Sequence, residues 1–343
     1  LATWSSIWAW ARVPEPPDTT EIAAGDLPTA TVIVAARNEE RDLPRCIASL
    51  LAQDYPTDRF EVLLVDDRST DGTGALMQRA CAENPHLFAL NTADYPTHLH
   101  AKARAVAMAA QQARNEWFVI LDADAHVPPG WLRGMMSVTD AQTGMVAGPV
   151  IGESSSANGV VEKLFLSYAI GVVYGIEGLG GEPVTNGPNM AIHRDSYFPG
   201  GLPSIPFRVA EDITMWRLNR RTNKRVAAAL SARTLARVAP VEGFVAMFKM
   251  HKRWIVGGAT DGPVDVRLSV FGVGLYAFVG SLLPLFTIWT LPVPTLAAVG
   301  MRALGDFLVL AAWRRRLGLT GLLRWFPVLE AYVWTGFLVI PLW

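Results

Sequence analysis

Charged side chains are scarce in the last quarter of this sequence. The 343 residues include 61 aspartate, glutamate, lysine and arginine side chains, but only nine of them follow Pro263. The 24 residues from Leu268 to Leu291 carry none, and a helix of that length crosses a hydrocarbon layer of about 30 Å. The composition therefore predicts a water-soluble region followed by a membrane region.

Cysteine is also scarce, and neither sign of charge is in excess. Cys46 and Cys81 are the two cysteines, which excludes a disulfide framework or a cysteine-ligated zinc site. Both fall in apolar helical patterns, so we expect them to be buried as small hydrophobic residues. The formal net charge of −1 gives no basis for binding nucleic acid through bulk electrostatics.

The two ends of the chain carry the membrane signals. Leu1 to Ala11 is uncharged and rich in tryptophan, which predicts an interfacial anchor or the end of a membrane helix. Segments 292–312 and 322–343 are apolar and flank the basic residues 314–316. By the positive-inside rule that basic loop is cytoplasmic, and so is the soluble region two crossings earlier. We expect an anchor and linker at 1–28, a soluble domain at 29–262, and about three membrane segments at 263–343.

The soluble region alternates apolar β-branched runs with helical patterns. Predicted strands are Thr31–Ala36, Phe60–Val65, Leu87–Leu90 and Glu116–Leu121, and predicted helices include 103–113, 160–173 and one after Glu211. Asn38 is expected to cap the first helix, and Ser69, Thr70 or Asp71 the second. This alternation predicts a doubly wound, mostly parallel α/β sheet. Ligands of such sheets bind at the carboxyl ends of the strands.

Acidic residues follow two of the predicted strands. Asp122 and Asp124 are separated by one residue, and such a pair can hold a hard cation against a diphosphate. A solvated turn would explain the same triplet. Asp66 follows the second strand, where a carboxylate can accept a hydrogen bond from a nucleobase; a plain turn before a helix is the alternative.

Two later pairs also suggest chemistry. Glu211 and Asp212 open a helix, whose dipole is expected to lower the pKa of both carboxyls. A carboxylate there can act as general base toward an acceptor hydroxyl, or it can simply cap the helix. Arg253 and Trp254 precede the first apolar segment, so they suit a departing diphosphate and the bilayer interface, or an ordinary juxtamembrane basic belt.

In their order along the chain, these patterns resemble the family 2 glycosyltransferases of the GT-A fold. The resemblance covers about residues 30 to 260 and is carried by Ala36-Arg37-Asn38-Glu39-Glu40, Val65–Thr73, His100–Ala105, Asp122–Asp124 with Pro128-Pro129, Asn186–Asn189 with Arg194, Glu211-Asp212 and Arg253-Trp254. Met250 stands where the processive synthases of the family have the glutamine of QxxRW, which weakens an assignment to polymerisation.

The resemblance implies a GT-A sheet, a C-terminal transmembrane region and a role for each site residue. Asp124 would bind Mg²⁺ or Mn²⁺, Asp212 would deprotonate the acceptor, and Arg253 would stabilise the leaving diphosphate. The donor would contact Ala36, Asn38, Glu39, Asp66, Lys102 and Asp122. Asn189, Glu211 and Trp254 would lie on the acceptor side.

The implied function is inverting, metal-dependent transfer of a sugar from a nucleotide-diphosphate donor, UDP-glucose or similar, to a membrane lipid. The implied protein is a multi-pass membrane enzyme with a cytoplasmic catalytic domain and no nucleic-acid partner. A polysaccharide synthase or polyprenyl-phosphate glycosyltransferase is the alternative. A nucleotidyltransferase is disfavoured because residues 36–40 lack a glycine-rich phosphate loop. A degenerate membrane scaffold is disfavoured because Asp66, Asp124 and Asp212 are all present.

Overall fold

The computed structural model describes residues 22–153, 157–175, 182–183, 187–198, 200–206, 211–241, 243–260 and 282–339. Its strands are β1 (Ala30–Ala36), β2 (Phe60–Asp66), β3 (Leu87–Asn91), β4 (Trp117–Asp122), β5 (Ala125–His126), β6 (Thr143–Ala147), β7 (Val150–Gly152), β8 (Asn189–His193), β9 (Arg225–Ala228) and β10 (Ala236–Val238). The predicted N-terminal anchor, most of the linker and most of the first apolar segment lie outside the described residues.

The helices follow the predicted positions closely. They are α1 (Leu43–Leu51), α2 (Thr73–Glu83), α3 (Ala101–Gln112), α4 (Trp131–Met136), α5 (Ala157–Gly175), α6 (Arg194–Tyr197), α7 (Glu211–Arg220), α8 (Phe244–Thr260), α9 (Pro292–Arg316) and α10 (Phe326–Val339). Cys46 is buried in α1 and Cys81 is partly buried in α2.

One mixed sheet of seven strands, in the order β3-β2-β1-β4-β8-β6-β9, forms the core of the described domain. Strands β3, β2, β1 and β4 are mutually parallel, and all four were predicted to within one residue at each end. Strand β8 runs antiparallel to both β4 and β6. The predicted mostly parallel, doubly wound sheet is therefore confirmed, with β8 as its reversed strand. A smaller sheet has the order β5-β10-β7.

The register of the parallel strands aligns their polar ends. Ala36 of β1 pairs with Asp66 of β2, and Asp66 pairs in turn with Asn91 of β3. On the other side of β1, Ala35 pairs with Asp122 of β4. Because one strand lies between β2 and β4, their ends are about 10 Å apart. The acidic ends of both strands thus face one edge of the sheet.

The expected cap of the first helix is wrong. Asn38 has φ of 59° and lies well before α1, which begins at Leu43 after Asp42. Its side-chain oxygen instead accepts the Thr70 amide at 2.8 Å, which ties the loop after β1 to the loop after β2. The second cap prediction is wrong as well, because Gly72 occupies the capping position of α2; Asp71, one residue earlier, accepts the Thr73 amide at 3.0 Å.

Helix α9 joins the described domain to the apolar end of the chain. It has 25 residues and is the one helix among the described residues that is long and apolar enough to cross a membrane. Arg302 and Asp306, four residues apart on this helix, form an ion pair with 3.6 Å between the charged groups. Its C-terminal half is docked on the domain, where Trp313 stacks on Tyr174 of α5 with ring centroids 6.0 Å apart. The three membrane segments stay a prediction.

Candidate functional site

A cleft of about 250 Å³ opens at the carboxyl ends of β1 and β4. Five of the predicted site residues line it, namely Ala36, Glu39, Lys102, Asp122 and Asp124, together with Ala35, Arg37, Asp67, Ala101 and Ala123. This is the edge where parallel strands of an α/β sheet leave space for a ligand.

Lys102 joins the two acidic patterns that the sequence places far apart. Its amine forms an ion pair with Asp122 at the end of β4 and lies 3.5 Å from a carboxylate oxygen of Glu211 at the start of α7. It also donates a hydrogen bond to the carbonyl oxygen of Gly187 at 2.9 Å. Burial lowers the pKa of Lys102, but Asp122 and Glu211 outweigh that effect and hold it above its usual value.

Asp212 is connected to Lys102 through Gly187, and its carboxylate is held by two backbone amides. One carboxylate oxygen accepts the N–H of Gly187 at 3.1 Å, and the other accepts that of Ile213 at 2.8 Å. Burial and the neighbouring charge of Glu211 raise the pKa of Asp212 to about 6. The expected lowering of the Asp212 pKa by the helix dipole is therefore wrong. Burial removes hydration from the carboxylate, and this destabilises the charged form more than the helix terminus and the two amides stabilise it.

The metal-binding prediction concerns a region of concentrated negative charge. Burial, followed by the charges of Asp122 and Glu39, raises the pKa of Asp124 to about 7. Among the described residues no group of three His, Cys, Asp or Glu side chains is arranged to hold a metal. Mg²⁺ and similar hard cations often take only one or two protein carboxylates and complete their coordination with water and substrate phosphates. Asp122 and Asp124 fit that kind of site.

The nucleobase contact expected at Asp66 stays a prediction, and both of its carboxylate oxygens already accept a hydrogen bond within the domain. One accepts the Ser69 amide at 2.9 Å, and the other accepts the side-chain amide of Asn91 at 3.1 Å. A Cβ at Gly74 of α2 would come within 2.9 Å of that second oxygen, so the carboxylate points toward the helix. The next residue, Asp67, is the one that lines the cleft.

Asn189 makes structural contacts in the core, and its predicted acceptor-side role stays a prediction. Its side chain is fully buried, and its amide donates to the carbonyls of Pro149 at 2.8 Å and Thr234 at 2.9 Å. Its oxygen accepts from the indole of Trp131 at 2.9 Å. Through these contacts, the Asn189 side chain joins the large sheet to α4 and to the loop before β10.

Arg253 and Trp254 lie on α8, and the structure does not join them to the cleft. Arg253 is exposed, and within the described ranges no hydrogen bond or ion pair connects it to the acidic residues. Trp254 is 39% exposed and lies beside His251, with ring centroids 5.4 Å apart. His251 in turn contacts Tyr332 of α10, with 2.6 Å between Nδ1 and the phenol oxygen. This helix therefore connects the domain to the C-terminal region.

Two contributors to the site were missed from the sequence. Gly187 binds Lys102 through its carbonyl and Asp212 through its amide, although it lies inside a segment already singled out. Asn91 is the last residue of β3 and donates a hydrogen bond to Asp66. Aligning the predicted strands β2 and β3 could have indicated Asn91, since it pairs directly with Asp66 in the sheet.

Comparison with known proteins agrees with this geometry. The model of glycosyl transferase family 2 matches residues 31–197, a range that contains β1 to β4, Lys102 and the Asp122–Asp124 turn. Just under half of the chain is therefore similar to glycosyl transferase family 2.

Individual relatives of the family 2 domain are similar over short stretches. The chain is 34% identical over 106 residues to a beta-monoglucosyldiacylglycerol synthase of Synechocystis, which is 31% of this chain and 22% of that protein. It is 36% identical over 125 residues to the succinoglycan biosynthesis protein ExoO of Rhizobium meliloti, 36% of this chain and 34% of that protein. The chain thus spans well under half the length of these relatives.

A solved structure is similar over the whole chain. The mannosyltransferase PcManGT from Pyrobaculum calidifontis, in complex with GDP-Man and Mn²⁺, aligns with a TM-score of 0.59 and 23% identity, covering 100% of this chain and 95% of that one. At this level of identity the likeness concerns the fold, and it confirms the predicted GT-A-type architecture.

Proposed function

We propose that this protein is a glycosyltransferase that moves a sugar from a nucleotide-diphosphate donor to a membrane lipid. The observation that carries the proposal is the position of the Lys102 amine between Asp122 and Glu211. The Lys102 side chain thus links two parts of the site. One is the Asp122 and Asp124 pair, which suits a cation and a diphosphate, and the other is α7, which carries the candidate base Asp212. A turn or a helix cap alone does not require that arrangement.

In this proposal each side chain has a defined task. Asp124, with Asp122, would hold Mg²⁺ or Mn²⁺, which would supply positive charge beside the departing diphosphate. Lys102 holds Asp122 in place and adds positive charge beside the phosphates. Glu39 and Ala36 border the same pocket. A divalent cation agrees with the Mn²⁺ in the Pyrobaculum mannosyltransferase of similar fold.

The proposed reaction is a single displacement with inversion. The acceptor hydroxyl oxygen attacks the anomeric carbon, its proton passes to Asp212, and the bond from the anomeric carbon to the diphosphate oxygen breaks. With a pKa of about 6, Asp212 is mostly ionised at neutral pH and still basic enough to take a proton. Arg253 and Trp254 would reach the leaving group and the acceptor entrance only if α8 moves toward the cleft.

Two observations support a lipid acceptor. The Synechocystis relative is named as a synthase of a glycosylated diacylglycerol. Helix α9 exposes large apolar side chains along its N-terminal half, at Val293, Leu296, Met301 and Leu304, and basic residues 314–316 follow at its other end. This distribution supports membrane association with the catalytic domain on the cytoplasmic side. UDP-glucose or a similar donor stays part of the proposal.

A polysaccharide precursor is the second candidate acceptor. It is favoured by the similarity to a protein of succinoglycan biosynthesis. The two candidates differ in where the new product is found, in the lipid extract or in the soluble and polymeric glycan.

The test is to express the full chain in a host and compare its lipids and glycans by mass spectrometry. The wild type should produce a new glycolipid, and Asp212→Asn should not. Asp195→Asn is the matched control, because Asp195 has the same chemistry, is 73% exposed and lies outside the cleft. A new soluble glycan without a new lipid would replace the lipid acceptor with the second candidate. Equal product from wild type and Asp212→Asn would remove Asp212 from the mechanism.

A further inference from the structure

A buried ion pair borders the cleft and is not used by the chemistry proposed above. Asp67 follows β2 and Arg104 lies on α3, and their side chains are only 3% and 9% exposed. The Arg104 Nε donates to Oδ1 of Asp67 at 2.8 Å, and a terminal guanidinium nitrogen lies 2.7 Å from the same oxygen. Thr92 donates its hydroxyl to that oxygen as well, at 2.7 Å. Three donors therefore converge on one of the two carboxylate oxygens.

The other oxygen of Asp67 has no such partner. Oδ2 is buried and accepts no hydrogen bond from the described residues, although Asp67 lines the cleft. Buried polar atoms without partners are rare in folded proteins, because each one loses its hydration without compensation. A carboxylate paired with a guanidinium can only accept hydrogen bonds. The arrangement therefore suits a ligand that brings a donor group to Oδ2.

The position of Asp67 indicates which part of a ligand it meets, if the proposed function is correct. The ends of β2 and β4 are about two strand spacings, or 10 Å, apart. A diphosphate beside Asp124 would then extend its nucleoside along the cleft toward Asp67. At the ring edge of the base, uracil N3 and guanine N1 carry a hydrogen, whereas cytosine N3 and adenine N1 carry a lone pair.

We propose that Arg104 sets the base specificity of the donor site. Together with Thr92 it holds Oδ1 of Asp67, so that Oδ2 stays at one place and acts there as an acceptor. A uracil or guanine ring N–H satisfies Oδ2, while the lone pair of cytosine or adenine meets it with repulsion. Arg104 touches no substrate in this scheme and is a positioning residue. The two guanidinium nitrogens of Arg104 form a fork around Oδ1 of Asp67. Without this fork, the Asp67 carboxylate can rotate toward the exocyclic amine beside cytosine N3.

The test measures the affinities of UDP, CDP, GDP and ADP for the full chain in detergent with Mn²⁺, by calorimetry. The wild type should bind UDP more tightly than CDP, or GDP more tightly than ADP, by at least about tenfold, since one hydrogen bond is lost and a buried acceptor stays unpaired. Arg104→Lys keeps the charge but loses the fork, and should reduce that preference below about threefold. Arg114→Lys is the matched control at a 75% exposed position and should keep the wild-type preference.

A second variant guards against a folding defect in Arg104→Lys. The double change Asp67→Asn with Arg104→Met removes both charges together, so no buried charge is left alone. Its amide can donate to cytosine N3, and the preference for UDP over CDP should vanish or reverse.

Three results would overturn the proposal or its basis. Equal wild-type affinities within both pairs of nucleotides would show that the base is not read at Asp67. A uniform loss in Arg104→Lys with an unchanged preference would reduce Arg104 to a support of the fold. If none of the four nucleotides binds the wild type, the proposed function is wrong as well.

Discussion

Adjacent acidic residues in this protein have different surroundings. The oxygens of Asp66 are occupied by Ser69 and Asn91, while Asp67 turns toward the cleft with one oxygen unpaired. In the same way Glu211 faces the Lys102 amine, whereas Asp212 is held by the amides of neighbouring residues. Neighbours along the chain therefore differ in chemistry, and variants that separate them are informative.

The first prediction at this scale concerns the pH dependence of turnover. Burial raises the pKa of Asp212 to about 6, and a general base acts only when it is ionised. We expect kcat to be constant above about pH 7 and to fall tenfold per pH unit below about pH 6. A kcat profile from pH 4.5 to 8 checks this.

The second prediction concerns the same side chain. Asp212→Asn should lower kcat by at least about a hundredfold and leave the dissociation constant of the nucleotide within about threefold, because the proton it removes belongs to the acceptor. A matching loss of nucleotide affinity would place Asp212 on the donor side instead.

The third prediction is cation dependence. Asp122 and Asp124 alone add negative charge beside a diphosphate leaving group, so a chelator should abolish turnover and added Mn²⁺ or Mg²⁺ should restore it. Asp124→Asn should need a higher cation concentration for half-maximal activity. Full activity in excess chelator would contradict the role given to Asp124.

At the scale of elements, the reversed strand β8 ties together parts of the domain that the parallel strands do not connect. It lies between β4 and β6, and Asn189 at its start bonds to Trp131 of α4 and to the carbonyls of Pro149 and Thr234. Gly187, just before the strand, reaches Lys102 and Asp212. The strand thus supports the part of the cleft around Lys102, while the side chain of Asn189 packs in the core.

The prediction at this scale separates the two roles of Asn189. Asn189→Ala leaves one donor and two acceptors unpaired in the core, and should lower the free energy of unfolding by about 2–4 kcal/mol. Chemical denaturation checks the loss. At a temperature where the variant stays folded, its KM for the acceptor should match that of the wild type; a selective rise in that KM would support the acceptor-side role.

At the scale of the whole molecule, α9 is shared between the domain and the apolar region. Its 25 residues extend about 38 Å. The C-terminal half is packed against the domain, where Val309, Leu310 and Trp313 are buried. Arg316 adds a hydrogen bond to the carbonyl of Leu230 at 3.0 Å. The exposed apolar half is therefore attached to the domain through the buried half of the same helix.

The prediction at this scale is that α9 binds lipid. Replacing Leu296, Met301 and Leu304 with serine removes exposed apolar surface from one helix, and should weaken flotation with phosphatidylglycerol vesicles while nucleotide affinity stays unchanged. Leu51→Ser is the control, because Leu51 is 46% exposed on the catalytic domain and should not affect flotation. Equal flotation of the triple variant and the wild type would place the membrane contact elsewhere.

The sequence by itself determined the four parallel strands, their helices and the place of the acidic turns, because apolar periodicity and turn chemistry act over a few neighbouring residues. It also predicted the grouping of Lys102 with Asp122, through the resemblance of their segments to a family. Only the tertiary structure decided that Asp67 and not Asp66 faces the cleft, and that Asn189 belongs to the core. Those outcomes depend on partners such as Asn91, Arg104 and Thr234, which lie more than 20 residues away. The raised pKa of Asp212 likewise needed the structure, since burial is a property of the packed domain.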